Sequence, residues 1–390
     1  MLINELLDII NGGENFYIEF KEEKVKPKDL GEEIVAFANS EGGTILIGVS
    51  DDGKVTGITD KRIEETIMNI CRNNVIPNII PNFEYVTIED KKVVILGIQK
   101  GLSKPYSTVD NKYYIRVGTT KRIASREELL RLFEGNGSLH YDISPVPNTS
   151  IRDLNIDVIR EYYFKYNSFD LYDEEKEQVE RLLINADILK DLNGEKVCSV
   201  GGLLIFGKIP SNSLPQNGIS FAHFNGNDIS DELIDKKVIE GRIQEIAEST
   251  LTIIKNNILT PSTIKDLKRT EKEDYPLIVL REALVNTLVH RNYSIYGSKI
   301  RIFMFNDRIE FRSPGRLPNT VTTEKMKVGV SFARNPFLVK YMENMRFIDQ
   351  LGRGIPMIIK NMMSISNIEP KLQELGEEFI LTIYKSKSKF

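Results

Sequence analysis

The run Thr44–Val49, Thr-Ile-Leu-Ile-Gly-Val, is apolar on both of its faces, and this limits what the chain can fold into. A strand with no polar side needs cover above and below, so it belongs in the middle of a sheet. Its flanks can supply that cover. Upstream, Leu30, Ile34, Phe37 and Ala38 recur at helical spacing, and Gly42-Gly43 then stops the helix. Further upstream, residues 15–22 alternate as a strand, with Phe16, Ile18 and Phe20 on one face and Tyr17, Glu19 and Lys21 on the other. Asp51-Asp-Gly53 reads as a turn into a second strand, Lys54–Ile58. A short helix at residues 4–10, a helix near 60–74, strands near 83–88 and 92–99, and a strand around 112–118 complete a mixed α/β unit that ends near residue 135.

At 390 residues the chain has room for two or three such units, each with its own core. The segment Gly135–Ser150, with Asn-Gly-Ser, Pro145 and Pro147, suits a linker. Helices at 153–166 and 173–184, an apolar stretch Ser199–Gly207, a loop at Pro210–Pro215, a strand at 218–224 and helical periodicity over 230–258 make a middle region. The remainder reads helix (275–290), hairpin (298–305 and 308–313), helices (335–345 and 355–363) and strand (378–384). The fold class expected is α/β (α+β), divided as 1–135, 136–264 and 265–390.

Hydrophobic residues make up 41% and charged residues 28%, an ordinary balance for a globular chain. The net charge of −4 gives no global basic character, so any nucleic-acid binding must come from a local patch. Cys71 and Cys198 lie far apart, and with only three histidines they make no zinc module. Reduced thiols, a start without a basic n-region and the lack of any apolar run near the roughly 18 residues of a membrane span predict a cytoplasmic protein.

Three carboxylates stand out in the N-terminal region. Glu19 and Lys21 share one strand face, Glu14 precedes that strand, and Asp51 leaves the end of the central strand, where sites on α/β sheets lie. Brought together, Glu14, Glu19 and Asp51 would form an acidic pocket beside Lys21. Carboxylates of this kind can hold Mg²⁺ or Mn²⁺ for phosphodiester chemistry, and a lysine can offset charge in the transition state. The competing reading is a solvated strand face and an ordinary hairpin turn. The stretch Lys112-Tyr-Tyr-Ile-Arg116-Val-Gly-Thr-Thr-Lys121-Arg122-Ile-Ala-Ser-Arg126 carries five basic residues, no acid and two tyrosines. Such residues could neutralise phosphates and stack on bases, or simply form a polar strand face.

The ordered run from Glu14 through Lys21, followed by Ala36-Phe-Ala-Asn-Ser-Glu-Gly-Gly-Thr-Ile-Leu-Ile-Gly-Val-Ser-Asp51-Asp-Gly53, resembles the Schlafen core, or AlbA-2, domain over the first third of the chain. The resemblance implies that Glu14, Glu19 and Asp51 occupy the positions of the catalytic acids of nucleolytic Schlafen proteins. It also implies a closing segment around Lys112–Arg126. Many bacterial proteins with this domain are DNA-binding or regulatory, so the domain alone does not imply cleavage.

A second constellation lies in Arg281-Glu282-Ala-Leu-Val-Asn286-Thr-Leu-Val-His290-Arg291. Spacings of four put Glu282, Asn286 and His290 on one helix face. An amide oxygen there can ligate magnesium and a glutamate can deprotonate water; equally, the row can be a plain polar helix face. Glycine loops follow at Ser313-Pro-Gly315 and Leu351-Gly352-Arg353-Gly354-Ile355, and a helix starting near Ile355 would aim its N-terminus at an anion. The ordered set is similar to the Bergerat fold of GHKL ATPases over about residues 265–390. That resemblance implies Glu282 as general base, Asn286 as magnesium ligand, and Gly315, Gly352 and Gly354 as nucleotide loops. The adenine-reading aspartate of that family is replaced by Ser313. There is no Gly-x-x-x-x-Gly-Lys-Ser/Thr sequence, which disfavours a P-loop helicase.

These readings combine into an ATP-regulated, metal-dependent endonuclease that cuts tRNA-like RNA in bacterial defence or toxicity. The alternative is a non-cleaving, DNA-binding regulator that senses ATP. Expected partners are RNA or DNA, ATP, no membrane, and a second copy of the chain, since GHKL domains often pair.

Overall fold

The computed structural model describes residues 3–135, 140–171, 174–258, 274–318, 321–348 and 352–385. The chain divides into two compact α/β units, Met1–Leu139 and His140–Phe390. The boundaries expected at 135/136 and 264/265 fall beside or within segments outside the described residues.

The first unit runs α1 (Ile3–Gly12), β1 (Ile18–Lys21), α2 (Pro27–Asn39), β2 (Gly43–Ile47), α3 (Ile63–Asn73), β3 (Val75–Ile76), β4 (Asn82–Ile88), β5 (Lys91–Ile98), β6 (Ser107–Thr108), β7 (Tyr114–Val117), β8 (Thr120–Ile123) and α4 (Arg126–Gly135). Its four-stranded sheet has the order β1-β2-β5-β4, with β1 and β2 parallel and the other pairs antiparallel. The doubly apolar run is therefore central. Ile45 and Ile47 pack into one core with Leu30, Ile34 and Phe37 of α2 and Ile67 and Ile70 of α3. Leu46 and Val49 face the opposite way, onto Phe20 and the α1 residues Leu6 and Ile10. Each such side chain contributes on the order of 1.5–3 kcal/mol by leaving water, which is why this strand accepts no polar residue on either face.

Two local expectations change here. The strand expected at Lys54–Ile58 is reduced to a single bridge between Val49 and Val55. The stretch around 112–118 is a hairpin, β7 with β8, turned at Gly118-Thr119.

The second unit continues with α5 (Ile156–Asn167), α6 (Lys176–Asn185), β9 (Leu189–Leu192), β10 (Glu195–Cys198), α7 (Val200–Phe206), β11 (Ile219–Asn225), β12 (Glu232–Ile239), α8 (Ile243–Asn257), α9 (Leu277–Val289), β13 (Ile300–Met304), β14 (Arg308–Pro314), α10 (Thr323–Lys327), α11 (Pro336–Asn344), α12 (Gly354–Ser366), β15 (Lys371–Leu375) and β16 (Glu378–Tyr384). Six strands form one sheet in the order β12-β11-β13-β14-β16-β15, in which only the β11–β13 pair is parallel. The separation expected between a middle region and a C-terminal domain does not divide this fold, because β11 and β12 come from one and β13–β16 from the other. One core also runs through both, from Ile159 and Phe206 to Leu284, Phe311 and Ile383.

Helical periodicity over 230–258 resolves into two elements. Its first part is the edge strand β12, and Gly241 then turns the chain into α8. Pairing with β11 overrides the local pattern, as tertiary context commonly does for short amphipathic segments. The expected linker is also more than a linker. Asp142 is fully buried and its Oδ2 accepts the Phe337 and Leu338 amides (2.7 and 3.3 Å) at the start of α11.

Candidate functional site

Alternation along β1 turns Phe20 into the core and presents Glu19 and Lys21 on the other face, the arrangement expected from the sequence. What meets them is a set of opposite charges. Arg116 on β7 is completely buried, with its guanidinium seated over the Phe37 ring (4.5 Å). Its Nη1 donates to Glu19 Oε2 at 2.7 Å and to Glu33 Oε2 at 3.1 Å, while Nη2 donates to the carbonyls of Asn15 (2.8 Å) and Thr119 (3.2 Å). Lys21 bonds the other oxygen of Glu19. Lys121 donates to Glu33 at 2.9 Å and lies 3.4 Å from Glu32, and the Tyr114 hydroxyl donates to Glu32 at 2.9 Å.

Burial opposes ionisation of Glu19, but Lys21 and Arg116 outweigh it and hold the carboxyl below its ordinary value. Glu33 goes the other way: burial raises it, and Lys121 only partly offsets that. Glu14 is raised by burial, countered by the Phe20 amide donating to Oε1 (2.8 Å), and raised again by Glu19 and Asp51. Glu14 therefore feels both of the other acids. Asp51 itself lies exposed in the turn after the central strand.

A divalent metal does not fit this arrangement as it stands. Both oxygens of Glu19 are committed to cations, and among the described residues no group of three or more His, Cys, Asp or Glu is placed to hold an ion. The basic segment is likewise redistributed. Arg116 is buried and cannot meet a phosphate, Lys121 is tied to Glu33, and Arg122 makes a two-pronged pair with Glu128 (2.8 and 2.7 Å). Lys112 and Arg126 are exposed. Sequence reasoning missed Glu33. The available signal was its position four residues before Phe37 on α2, which puts it over the same face. It also missed Asn39, whose side chain bonds the backbone of Tyr106 (2.7 and 2.8 Å) and the carbonyl of Tyr114 (2.9 Å), fixing β7 where Arg116 can reach β1.

In the second unit all six sequence-derived nucleotide residues, Glu282, Asn286, His290, Gly315, Gly352 and Gly354, line one cavity of about 380 Å³. This volume lies in the range of small-molecule sites. Helix α9 buries its apolar residues on several sides and leaves Glu282 and Asn286 half-exposed, one turn apart. Asn286 Nδ2 donates to Glu282 Oε1 at 3.0 Å, a bond that does not use the amide oxygen. Helix α12 starts against this pair: a Cβ on Gly354 would collide with the Glu282 carboxylate and crowd Asn286. Its N-terminal amides and positive dipole end are thus beside the two polar side chains. Gly315 (φ +112°) and Gly352 (φ +66°) have backbone that L side chains avoid. Leu351, named with this loop, lies outside the described residues.

His290 closes α9. Burial, with the nearby Arg334 charge, pushes its imidazole down to about 4, so it is neutral at pH 7. Arg334 bridges the pocket rim by donating to the carbonyls of His290 (3.3 Å) and Arg316. Ser313, in place of an aspartate, is buried, and its hydroxyl donates to the Thr287 carbonyl at 3.2 Å. Val330, Phe332, Ile348, Phe379 and Leu381 supply an apolar wall. No helix among the described residues is long and apolar enough to cross a membrane.

Residues 14–125 match the family model described as "Schlafen, AlbA_2", and residues 297–383 match "Putative ATP-dependent DNA helicase recG C-terminal". The first span takes in every N-terminal candidate except Arg126; the second begins after the Arg281–Arg291 helix. Among solved structures, the DIP2311 protein from Corynebacterium diphtheriae aligns with 99% of this chain and 80% of its own, at 17% identity and a TM-score of 0.48. A structure described as the "N-terminal Domain of Putative ATP-dependent DNA Helicase RecG-related Protein" from Nitrosomonas europaea aligns with 31% of this chain and 88% of its own, at 23% identity and a TM-score of 0.25. No curated protein matches the chain. The chain carries a Schlafen AlbA_2 domain followed by a RecG-like HATPase domain, a pairing that fits a nucleic-acid-related, ATP-dependent protein.

Proposed function

We propose that the chain is a nucleic-acid-binding protein controlled by ATP, with the nucleotide held in the cavity between α9 and α12. The observation that carries this reading is the convergence of Glu282, Asn286, His290 and three glycines on one cavity whose floor is a helix N-terminus. Nucleotide phosphates suit that end of α12, and the apolar wall suits a base. Asn286 would hold a Mg²⁺ that accompanies the phosphates, and Glu282 would orient a water beside them. The AlbA_2 domain would grip nucleic acid through Lys112, Arg126 and neighbouring residues.

A second reading, an endonuclease acting on tRNA-like RNA in bacterial defence or toxicity, is favoured by one observation. Glu14, Glu19 and Asp51 are close enough to shift Glu14. The committed state of Glu19 counts against it. One assay separates the two: labelled tRNA and DNA are incubated with the protein, with and without Mn²⁺ and ATP, beside a Glu14→Gln/Asp51→Asn variant. On the first reading the nucleic acid is bound and stays whole; wild-type cleavage that the variant lacks would establish the second. An unchanged melting temperature in saturating ATP would sink the nucleotide assignment itself, because binding to the native state must stabilise it.

A further inference from the structure

We propose that the face of the C-terminal sheet turned away from α8, α9 and α12 is a binding platform for single-stranded nucleic acid. Alternation decides the two faces. Ile300, Ile302 and Met304 of β13 enter the helix-covered core, so Arg301 and Phe303 point the other way. Register then sets the neighbours across the strands. Arg301 lies opposite Arg312, and Phe303 lies between Ala222 of β11 and Glu310 of β14.

On this face Phe224 and Phe305 are buried with Ala222 and the half-buried Phe303 in a cluster of their own, into which no helix residue enters among the described residues. Phe224 and Phe305 are stacked, 5.3 Å apart and 15° from parallel, and Phe303 meets Phe224 edge-on. Guanidinium groups are seated over these rings: Arg308 at 4.0 Å over Phe305, and Arg312 and Arg301 at 4.9 and 5.7 Å over Phe303. Glu310 bridges Arg308 and Arg312 and holds them in place (2.6 and 2.5 Å). Burial opposes ionisation of Glu310, but the two arginines keep it charged.

At the margins, the exposed Lys236 and Lys371 lie in the same row as Phe303 and Glu310. With the three arginines they make five cations to the three acids paired with those arginines, Glu310, Glu378 and Asp307, on a chain whose net charge is −4. A locally basic face on an acidic chain marks a polyanion as the partner. The half-buried Phe303 ring and the guanidinium planes of Arg301 and Arg312 beside it are the stacking surfaces for splayed bases, and bases are available in a single strand but hidden in a duplex. A sheet face of this kind therefore selects strand over duplex without reading sequence.

The test uses the full chain and fluorescence anisotropy with labelled oligo(dT), oligo(U) and a duplex of equal length, across a salt series. Wild type should bind the single strands more tightly than the duplex. The variant Arg301→Glu/Lys371→Glu should lose about tenfold or more in affinity and flatten the salt dependence by about one to two phosphate contacts. Phe303→Leu, which keeps an apolar side chain but removes the ring, should weaken binding severalfold at unchanged salt slope. Both variants should keep the ATP-induced rise in melting temperature, which shows that the unit is folded. Lys112→Glu/Arg126→Glu, in the other unit, tests the AlbA_2 grip separately and should leave the sheet-dependent loss intact. Wild-type affinity in both sheet variants, or equal binding of duplex and single strand, would overturn the proposal. So would sedimentation showing a dimer that the sheet variants dissolve, since a second copy of the chain would then occupy this face.

Discussion

In the AlbA_2 unit, acids from β1 and α2 meet cations from β7 and β8; in the C-terminal unit, acid, amide and imidazole from α9 meet a cavity. Both clusters join residues far apart in sequence, and both use half-buried or buried polar side chains. Their chemistry differs because of what fills the space between them. Arg116 occupies the centre of the first cluster and neutralises Glu19 and Glu33 in place. Glu282 instead borders the cavity, with the glycine that starts α12 close against its carboxylate. A polar cluster that satisfies itself holds a fold together, whereas one that borders a cavity can take a ligand.

The sharpest way to break this contrast is to remove the central cation. Arg116→Met leaves two buried carboxylates without their guanidinium, and should cost about 3–5 kcal/mol in the unfolding of the first unit, read by denaturant titration. A cost near zero would mean that Glu19 is open after all and free for a metal.

Next in size is closure of the glycine approach. Saturating ATP at about 100 times its Kd should stabilise the second unit by about 2.7 kcal/mol. Gly354→Ala, whose Cβ collides with Glu282, should abolish that gain in a thermal melt while the protein without nucleotide stays folded.

A third test concerns acidity. His290 titrates near 4 in the fold against about 6.5 when unfolded, so the unfolded chain binds the extra proton between these values. Stability from this group is present above about pH 6.5 and lost as pH falls toward 4. His290→Gln should flatten that part of a stability–pH profile measured by chemical denaturation, whereas Glu19→Gln should not, since Glu19 titrates below its ordinary carboxylate value.

Much of the fold was legible because burial leaves a pattern. The two apolar faces of Thr44–Val49, the helical spacing of Leu30, Ile34 and Phe37, and the strand at 378–384 all follow from period and composition. The strand β12 was misread as helix because its edge position leaves most of its residues exposed, and an exposed short segment carries little periodicity. The edge strand β15 and the hairpin of β9 and β10 were not anticipated either, and only pairing with neighbours makes them strands.

For the second site, helix geometry alone aligns Glu282, Asn286 and His290, whereas the three glycines were joined to them as nucleotide loops through the resemblance to GHKL ATPases. Spacing was not enough for the N-terminal acids. It placed Glu19 and Lys21 on one face, but the partners that decide their chemistry, Glu33 and Arg116, arrive from α2 and β7.

By itself, then, the sequence determined which apolar stretches would be buried and which helix face would carry Glu282 and Asn286. These are local consequences of period and side-chain size. Tertiary structure alone decided charge and access: that Arg116 lies inside the fold rather than on it, that Glu19 is neutralised, and that the arginines and phenylalanines of β13 and β14 share one face. The reason is that Coulomb energy and desolvation depend on distances across the fold, and no linear spacing encodes them.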